Sequence, residues 1–124
     1  MILIDTSALI DSLTGPRRSS ARLRSFLESG ERMLLSSIVL YEWLRGPRLP
    51  EELLAQEALM PREKAVAFSE AEAAIAADLY RKLRSPRGRE IDLAIAATAI
   101  ARDASLWTLN VEDFDDVPGL RLVR

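Results

Sequence analysis

Ile2-Leu3-Ile4-Asp5-Thr6-Ser7 is an apolar run that stops abruptly on an acid and two hydroxyls, just before a helical pattern begins. The run has the character of a short buried strand, so Asp5 stands where a strand ends and a helix starts. In a parallel sheet that position is the carboxyl edge, where open α/β folds build their sites. An aspartate at a strand end also commonly caps the helix that follows, so Asp5 carries two readings.

Outward from this stretch, strand and helix signals alternate. A helix predicted from Ser7 to Leu13 is ended by Gly15-Pro16, and Ser19 or Ser20 caps a second helix that Gly30 closes. Arg32 to Ser36 holds a second strand, and Ile38 to Leu44 a helix broken by Gly46-Pro47. Pro50-Glu51-Glu52 opens another helix, with proline and early acids where the dipole favours them. Ala65 to Phe68 is a short third strand. Ser69-Glu70-Ala71-Glu72 is a capping box opening a helix with Ile75, Leu79 and Leu83 on one stripe, which Pro86 and Gly88 end. Glu90 to Arg102 is a helix of small residues, Leu106 to Leu109 a fourth strand and Leu120 to Val123 a fifth. Strands separated by helices predict an α/β fold with a parallel sheet covered on both faces. A length of 124 residues suits one domain, residues 1–124.

Composition narrows the chemistry. The chain has no histidine and no cysteine, which excludes a Ser-His-Asp triad, a thiolate nucleophile, a disulfide and a zinc site of the usual kinds. Carboxylates, hydroxyls, arginines and two lysines remain. Clustered carboxylates without softer ligands favour hard cations such as Mg²⁺ or Mn²⁺. Seventeen basic residues stand against 19 acidic ones, a balance that taken alone argues against a coat for nucleic acid. With the four acids discussed below set aside, the remainder is mildly positive, and most of its cations are arginines, whose planar fork suits phosphate. No apolar run approaches the roughly 20 residues that span a bilayer, and Asp5 interrupts the start of any signal peptide, so a cytoplasmic location is expected.

Three further acids fall at places comparable to Asp5. Glu42 lies in Val39-Leu40-Tyr41-Glu42-Trp43-Leu44-Arg45, where a solvated pairing with Arg45 is the competing reading. Asp92 falls in the first turn of its helix, where the macrodipole alone would favour an acid. Asp113 follows the fourth strand in Thr108-Leu109-Asn110-Val111-Glu112-Asp113-Phe114, and acids are common in turns. Along one edge of a parallel sheet the four would repel one another and raise their pKa values unless a cation neutralised them.

In order, spacing and total length these pieces resemble one family. Ile4-Asp5-Thr6-Ser7-Ala8-Leu9-Ile10, Ser36-Ser37-Ile38-Val39-Leu40-Tyr41-Glu42-Trp43-Leu44-Arg45-Gly46, Asp92-Leu93-Ala94-Ile95-Ala96-Ala97-Thr98-Ala99 and the segment from Thr108 to Phe114, with Val117-Pro118-Gly119-Leu120 after it, are similar to PIN-domain ribonucleases. Among these the chain resembles VapC-type toxins of bacterial toxin–antitoxin pairs. The resemblance implies a three-layer α/β/α PIN-like domain around a central parallel sheet of four or five strands. It makes Asp5, Glu42 and Asp92 the core catalytic and metal-binding acids and Asp113 the more variable fourth. Thr6 or Ser7 would support the site by hydrogen bonding, and Asn110 would hold the loop that presents Asp113. Glu90, Glu112 and Asp115 stand close enough to replace or assist a neighbour, and Gly46 to Lys64 follows no family pattern.

The implied activity is Mg²⁺- or Mn²⁺-dependent cleavage of single-stranded or structured RNA, with one metal ion or two. Asp5 is the natural central ligand. The resemblance also implies a small cognate antitoxin and a homodimer. A housekeeping PIN nuclease in RNA processing is the nearest alternative. A non-catalytic module using Tyr41 and Trp43 at a partner interface is a more distant one. A phospho-receiver is disfavoured because neither Lys64 nor Lys82 falls at a strand end, and a haloacid dehalogenase because Asp5-Thr6-Ser7 lacks its second aspartate. The basic groups Arg17-Arg18, Arg22-Arg24 and Arg81 to Arg89 are candidate RNA guides, with solvated faces as the ordinary reading.

Overall fold

A computed structural model describes residues 1–124. Strand β1 (Ile2–Ile4) leads into α1 (Thr6–Leu13), α2 (Ser20–Glu28) and β2 (Met33–Leu34). Helices α3 (Ser37–Arg45), α4 (Pro50–Leu59), α5 (Glu70–Lys82) and α6 (Glu90–Ala101) follow, then β3 (Ser105–Trp107). Short 3₁₀ turns occupy Arg62–Lys64 and Val111–Asp113. The strands form a parallel sheet in the order β2-β1-β3, with Ile2 opposite Met33 and Ser105, and Ile4 opposite Trp107. β1 therefore lies in the middle, and its residues are at most 5% exposed.

The sheet has three strands where four or five were expected. Both missing strands are in place but reduced to single parallel bridges, Ser36 to Val66 and Leu106 to Leu122. Backbone alternation explains this. Successive residues of a strand direct their hydrogen-bonding groups to opposite sides, so short strands have little to offer a second neighbour. In β3, Ser105 and Trp107 bond toward β1, leaving Leu106 to take the outer segment through Arg121 C=O (2.8 Å) and Val123 N–H (2.9 Å). Val66 is likewise held between Leu35 C=O and Ser37 N–H, at 2.8 Å each. The fourth strand also stops sooner than expected, because Thr108 turns into the site described below and Leu109 is exposed.

The helix signals translate into observed caps. Gly30 closes α2 with a left-handed φ of +85°. Glu52 and Glu72 each reach back to the backbone N–H three residues earlier, Leu49 and Ser69, at 2.8 Å. The Ser69 hydroxyl adds a second donor to Glu72. Helix α6 is apolar all round and buried from Leu93 to Ala99, the pattern of an internal helix. Its alanines allow close packing against α5, α3 and β3, while α1 packs on α2, α3 and α4. One cluster of 24 buried residues joins the sheet to these helices. No helix is long and apolar enough to cross a membrane.

Candidate active site

Asp5 is placed by the sheet. Its N–H donates to Trp107 C=O at 2.8 Å, and the Ile4–Trp107 register sets Thr108 beside it. The residue stands at the N-cap of α1 in extended conformation, yet its side chain makes no capping bond to the N–H groups further into the helix. The Oδ2 atom instead accepts from the Thr108 hydroxyl at 2.7 Å and the Ser7 hydroxyl at 3.0 Å. Ser7 Oγ accepts in turn from Leu109 N–H, and Thr108 Oγ1 from Asn110 N–H, both at 3.0 Å. The capping reading therefore fails, and Asp5 is the hub of a network joining the ends of two strands. Burial raises its pKa, bonds from Thr108, Ser7 and the Thr6 backbone offset part of that, and the charge of Glu42 adds to the rise.

Thr6 and Ser7 divide the supporting work. Ser7 braces Asp5, while Thr6 Oγ1 donates to Glu42 Oε1 at 2.5 Å. Glu42 does pair with Arg45, at 3.5 Å, but its own side chain is only 18% exposed against 58% for the arginine. It is thus held inward by Thr6 rather than solvated. Thr108 has no place in the sequence-derived site. The sequence placed it inside the expected strand Leu106 to Leu109, and it becomes informative only once that strand is seen to end at Trp107 beside β1.

Asp92 sits in the first turn of α6, where the helix dipole would lower its pKa. The opposite occurs: its carboxyl is pushed up to about 6, first by burial and then by the charges of Asp5, Asp113 and Glu42, with Arg89 pulling weakly the other way. The combined charge and desolvation outweigh the dipole. Asp113 is exposed on its 3₁₀ turn, and of the acids at 112–116 it is the one whose charge raises Asp92. The structure thus brings Asp5, Glu42, Asp92 and Asp113 into one electrostatic cluster.

By donor type and charge these residues suit a divalent cation: four carboxylates, mutually repelling, with no histidine or cysteine to favour a softer metal. As placed, no three of them converge on a point that could hold an ion.

The Asp113 turn is fastened from the start of α6. Arg89 donates to both carboxylate oxygens of Asp116, at 2.9 and 2.6 Å, and to Asp113 C=O at 2.9 Å. Arg89 was expected only within a candidate RNA-guiding group and Asp116 not at all, because an Arg–Asp pair 27 residues apart leaves no local signal. Asn110 contributes through its backbone, accepting from Asp113 N–H at 3.0 Å, and its side chain caps nothing. Of the other acids considered, Glu112 and Asp115 are exposed in the turn, and Glu90 accepts from Gly88 N–H.

Trp43 is fully buried, with Arg48 stacked over its ring, whereas Tyr41 is 58% exposed. Several basic candidates are engaged within the fold: Arg22 lies over Phe26 and Trp107, and Arg81 pairs with Asp78. None of the four acids lines a cavity. The largest lies among α5, Ile100 and the Pro118-Gly119 turn. At this edge Asp113 is exposed, Glu42 and Asp92 are half-buried and Asp5 is buried.

A three-stranded parallel sheet with four acids at its carboxyl edge defines a class, and the PIN domain matches residues 2–120: the chain belongs to the PIN-domain family. Its sequence is 38% identical to ribonuclease VapC19 of Mycobacterium tuberculosis over 123 residues, 98% of each chain. Among solved structures, VapBC2 from Rickettsia felis, bound to a DNA fragment from its promoter, shares the fold with a TM-score of 0.78 at 24% identity. That match covers 99% of this chain and 98% of that one. A toxin–antitoxin complex from Klebsiella pneumoniae gives 0.75 at 25% identity, covering 97% and 95%.

Proposed function

We propose that this chain is a Mg²⁺- or Mn²⁺-dependent endoribonuclease that cleaves single-stranded RNA and serves as the toxin of a toxin–antitoxin pair. The observation that carries the reading is the gathering of four acids at one edge of the sheet, with Asp5 held by Ser7 and Thr108, Glu42 held inward by Thr6, and Asp92 close enough to Asp5, Asp113 and Glu42 for their charges to raise its carboxyl. A fold has no structural use for such repulsion, whereas perturbed acids gathered at one edge suit catalysis. The ribonuclease name of the Mycobacterium tuberculosis relative and the toxin–antitoxin complex from Klebsiella pneumoniae support the two halves of the proposal.

Asp5, Glu42, Asp92 and Asp113 would hold the metal, which when bound supplies counter-charge and activates water for phosphodiester hydrolysis. Ser7 and Thr108 fix Asp5 Oδ2, so its Oδ1 is the oxygen they leave available. Thr6 orients Glu42, and Arg89 keeps Asp113 near Asp92. A cognate antitoxin would cover the acidic edge, and a second copy of the chain would complete a homodimer.

Asp5→Asn should stay folded and lose metal-dependent cleavage of single-stranded RNA in matched Mg²⁺ and Mn²⁺ titrations. A variant that cuts as fast as the parent would refute the assignment. Mn²⁺ should also raise the melting temperature of the parent, and a flat response would mark a non-catalytic scaffold.

A further inference from the structure

Tyr41 is one exposed aromatic that the core does not use, and its setting sets it apart from the other exposed apolar residues. Arg45, one turn along α3, places its guanidinium 5.3 Å from the Tyr41 ring centre. The same guanidinium reaches Glu42 Oε2 at 3.5 Å and is the only cation ion-paired to any of the four acids. Both Tyr41 and Arg45 stay 58% exposed, the former as a residue and the latter at its side chain. An aromatic ring and a planar cation thus stand together at the rim of an acidic site that must admit a polyanion.

We infer that Tyr41 and Arg45 form a nucleotide subsite beside the acids, with Tyr41 stacking a nucleobase next to the scissile bond and Arg45 receiving that nucleotide's phosphate. This deepens the ribonuclease reading and rests on it. Unpaired bases stack on aromatic side chains and guanidinium planes whatever their identity, which suits a single strand and not a duplex. The guanidinium fork matches phosphate, and contact with Glu42 keeps it at the site's edge while the strand is absent. Cation–π stacking on Tyr41 would hold it there after Glu42 turns to other work.

The test uses the full chain. Binding of a fluorescent single-stranded RNA is measured by anisotropy in the Asp5→Asn background, and cleavage in the otherwise unaltered chain. Tyr41→Ala should weaken binding about tenfold and raise KM with little change in kcat, and Tyr41→Trp should retain affinity. One abasic position scanned along the RNA should reproduce that loss with Tyr41 present and cost nothing further in Tyr41→Ala. Arg45→Lys should weaken binding less than Arg45→Ala. Equal affinity of Tyr41→Ala and its parent overturns the subsite, even where cleavage proceeds. Tyr41-dependent binding by a chain that never cleaves would uphold the subsite and sink the ribonuclease reading.

Discussion

Asp5 and Asp113 occupy two sides of the same acidic edge under opposite conditions. Asp5 is 5% exposed, and hydroxyls from the ends of two neighbouring strands converge on one of its oxygens. Asp113 is exposed on a 3₁₀ turn, and what holds that turn to α6 is a single arginine. One side of the site inherits the rigidity of the sheet, while the other depends on a surface clamp that water and salt can loosen. The contrast teaches that the central acid is fixed by burial, whereas the fourth is adjustable, in keeping with its being the more variable position of the resemblance.

Three experiments bear on this contrast. Thr108→Val should have the largest effect, because it strips a donor from a buried carboxylate: a loss of about 1–3 kcal/mol in urea unfolding and a fall of about 10–100-fold in cleavage rate. Unchanged stability would mean that Asp5 does not depend on the strand ends. Arg89→Ala acts on the exposed side, where an ion pair contributes less than about 1 kcal/mol. Stability should barely move, but the Mn²⁺ concentration needed for half-maximal activity should rise several-fold, with Arg89→Lys in between. A large drop in melting temperature with no change in Mn²⁺ requirement would make Arg89 merely structural.

The smallest effect concerns pH. Asp92 has a folded pKa raised to about 6 from an ordinary 3.8, so between those values the folded chain binds a proton that the unfolded chain does not. That contribution to stability is full below the unfolded value and is lost as pH rises through 6. The metal-free protein should therefore melt slightly higher at pH 5 than at pH 7, and Asp92→Asn should reduce the difference, leaving the part that Asp5, whose pKa is also raised, contributes. Below about pH 4.5 the trend reverses, because Glu72, Asp78 and Asp116 have depressed pKa values and lose their partners on protonation. A parent that melts at the same temperature at pH 5 and 7 would argue against the crowding of the four acids.

Legibility in the sequence followed the range of the interaction. The helix start at Pro50-Glu51-Glu52, the capping box at Glu72, the Gly30 stop and the small-residue helix α6 were readable because each is settled within a few residues. Strand number was overestimated, since Val66 and Leu122 have strand-like neighbours but only one bridging position each. Glu42 carried both of its readings into the structure: the pairing with Arg45 exists, and so does the inward bond from Thr6. Asp5 looked equally like a cap, and only the neighbouring strand decided against it.

What the sequence determined alone was the alternating α/β order, the absence of any imidazole or thiolate, and the four acids on which the proposed chemistry rests. Spacing and residue type are one-dimensional facts, and they suffice for those conclusions. The tertiary structure decided that Thr108 rather than a helix end receives Asp5, that Arg89 and Asp116 anchor the Asp113 turn, and that Tyr41 faces outward while Trp43 is core. Each of these depends on which strand lies beside which and on which face of a helix meets the sheet. Those relations arise from packing across 27 to 103 residues of chain, a distance over which local sequence carries no signal.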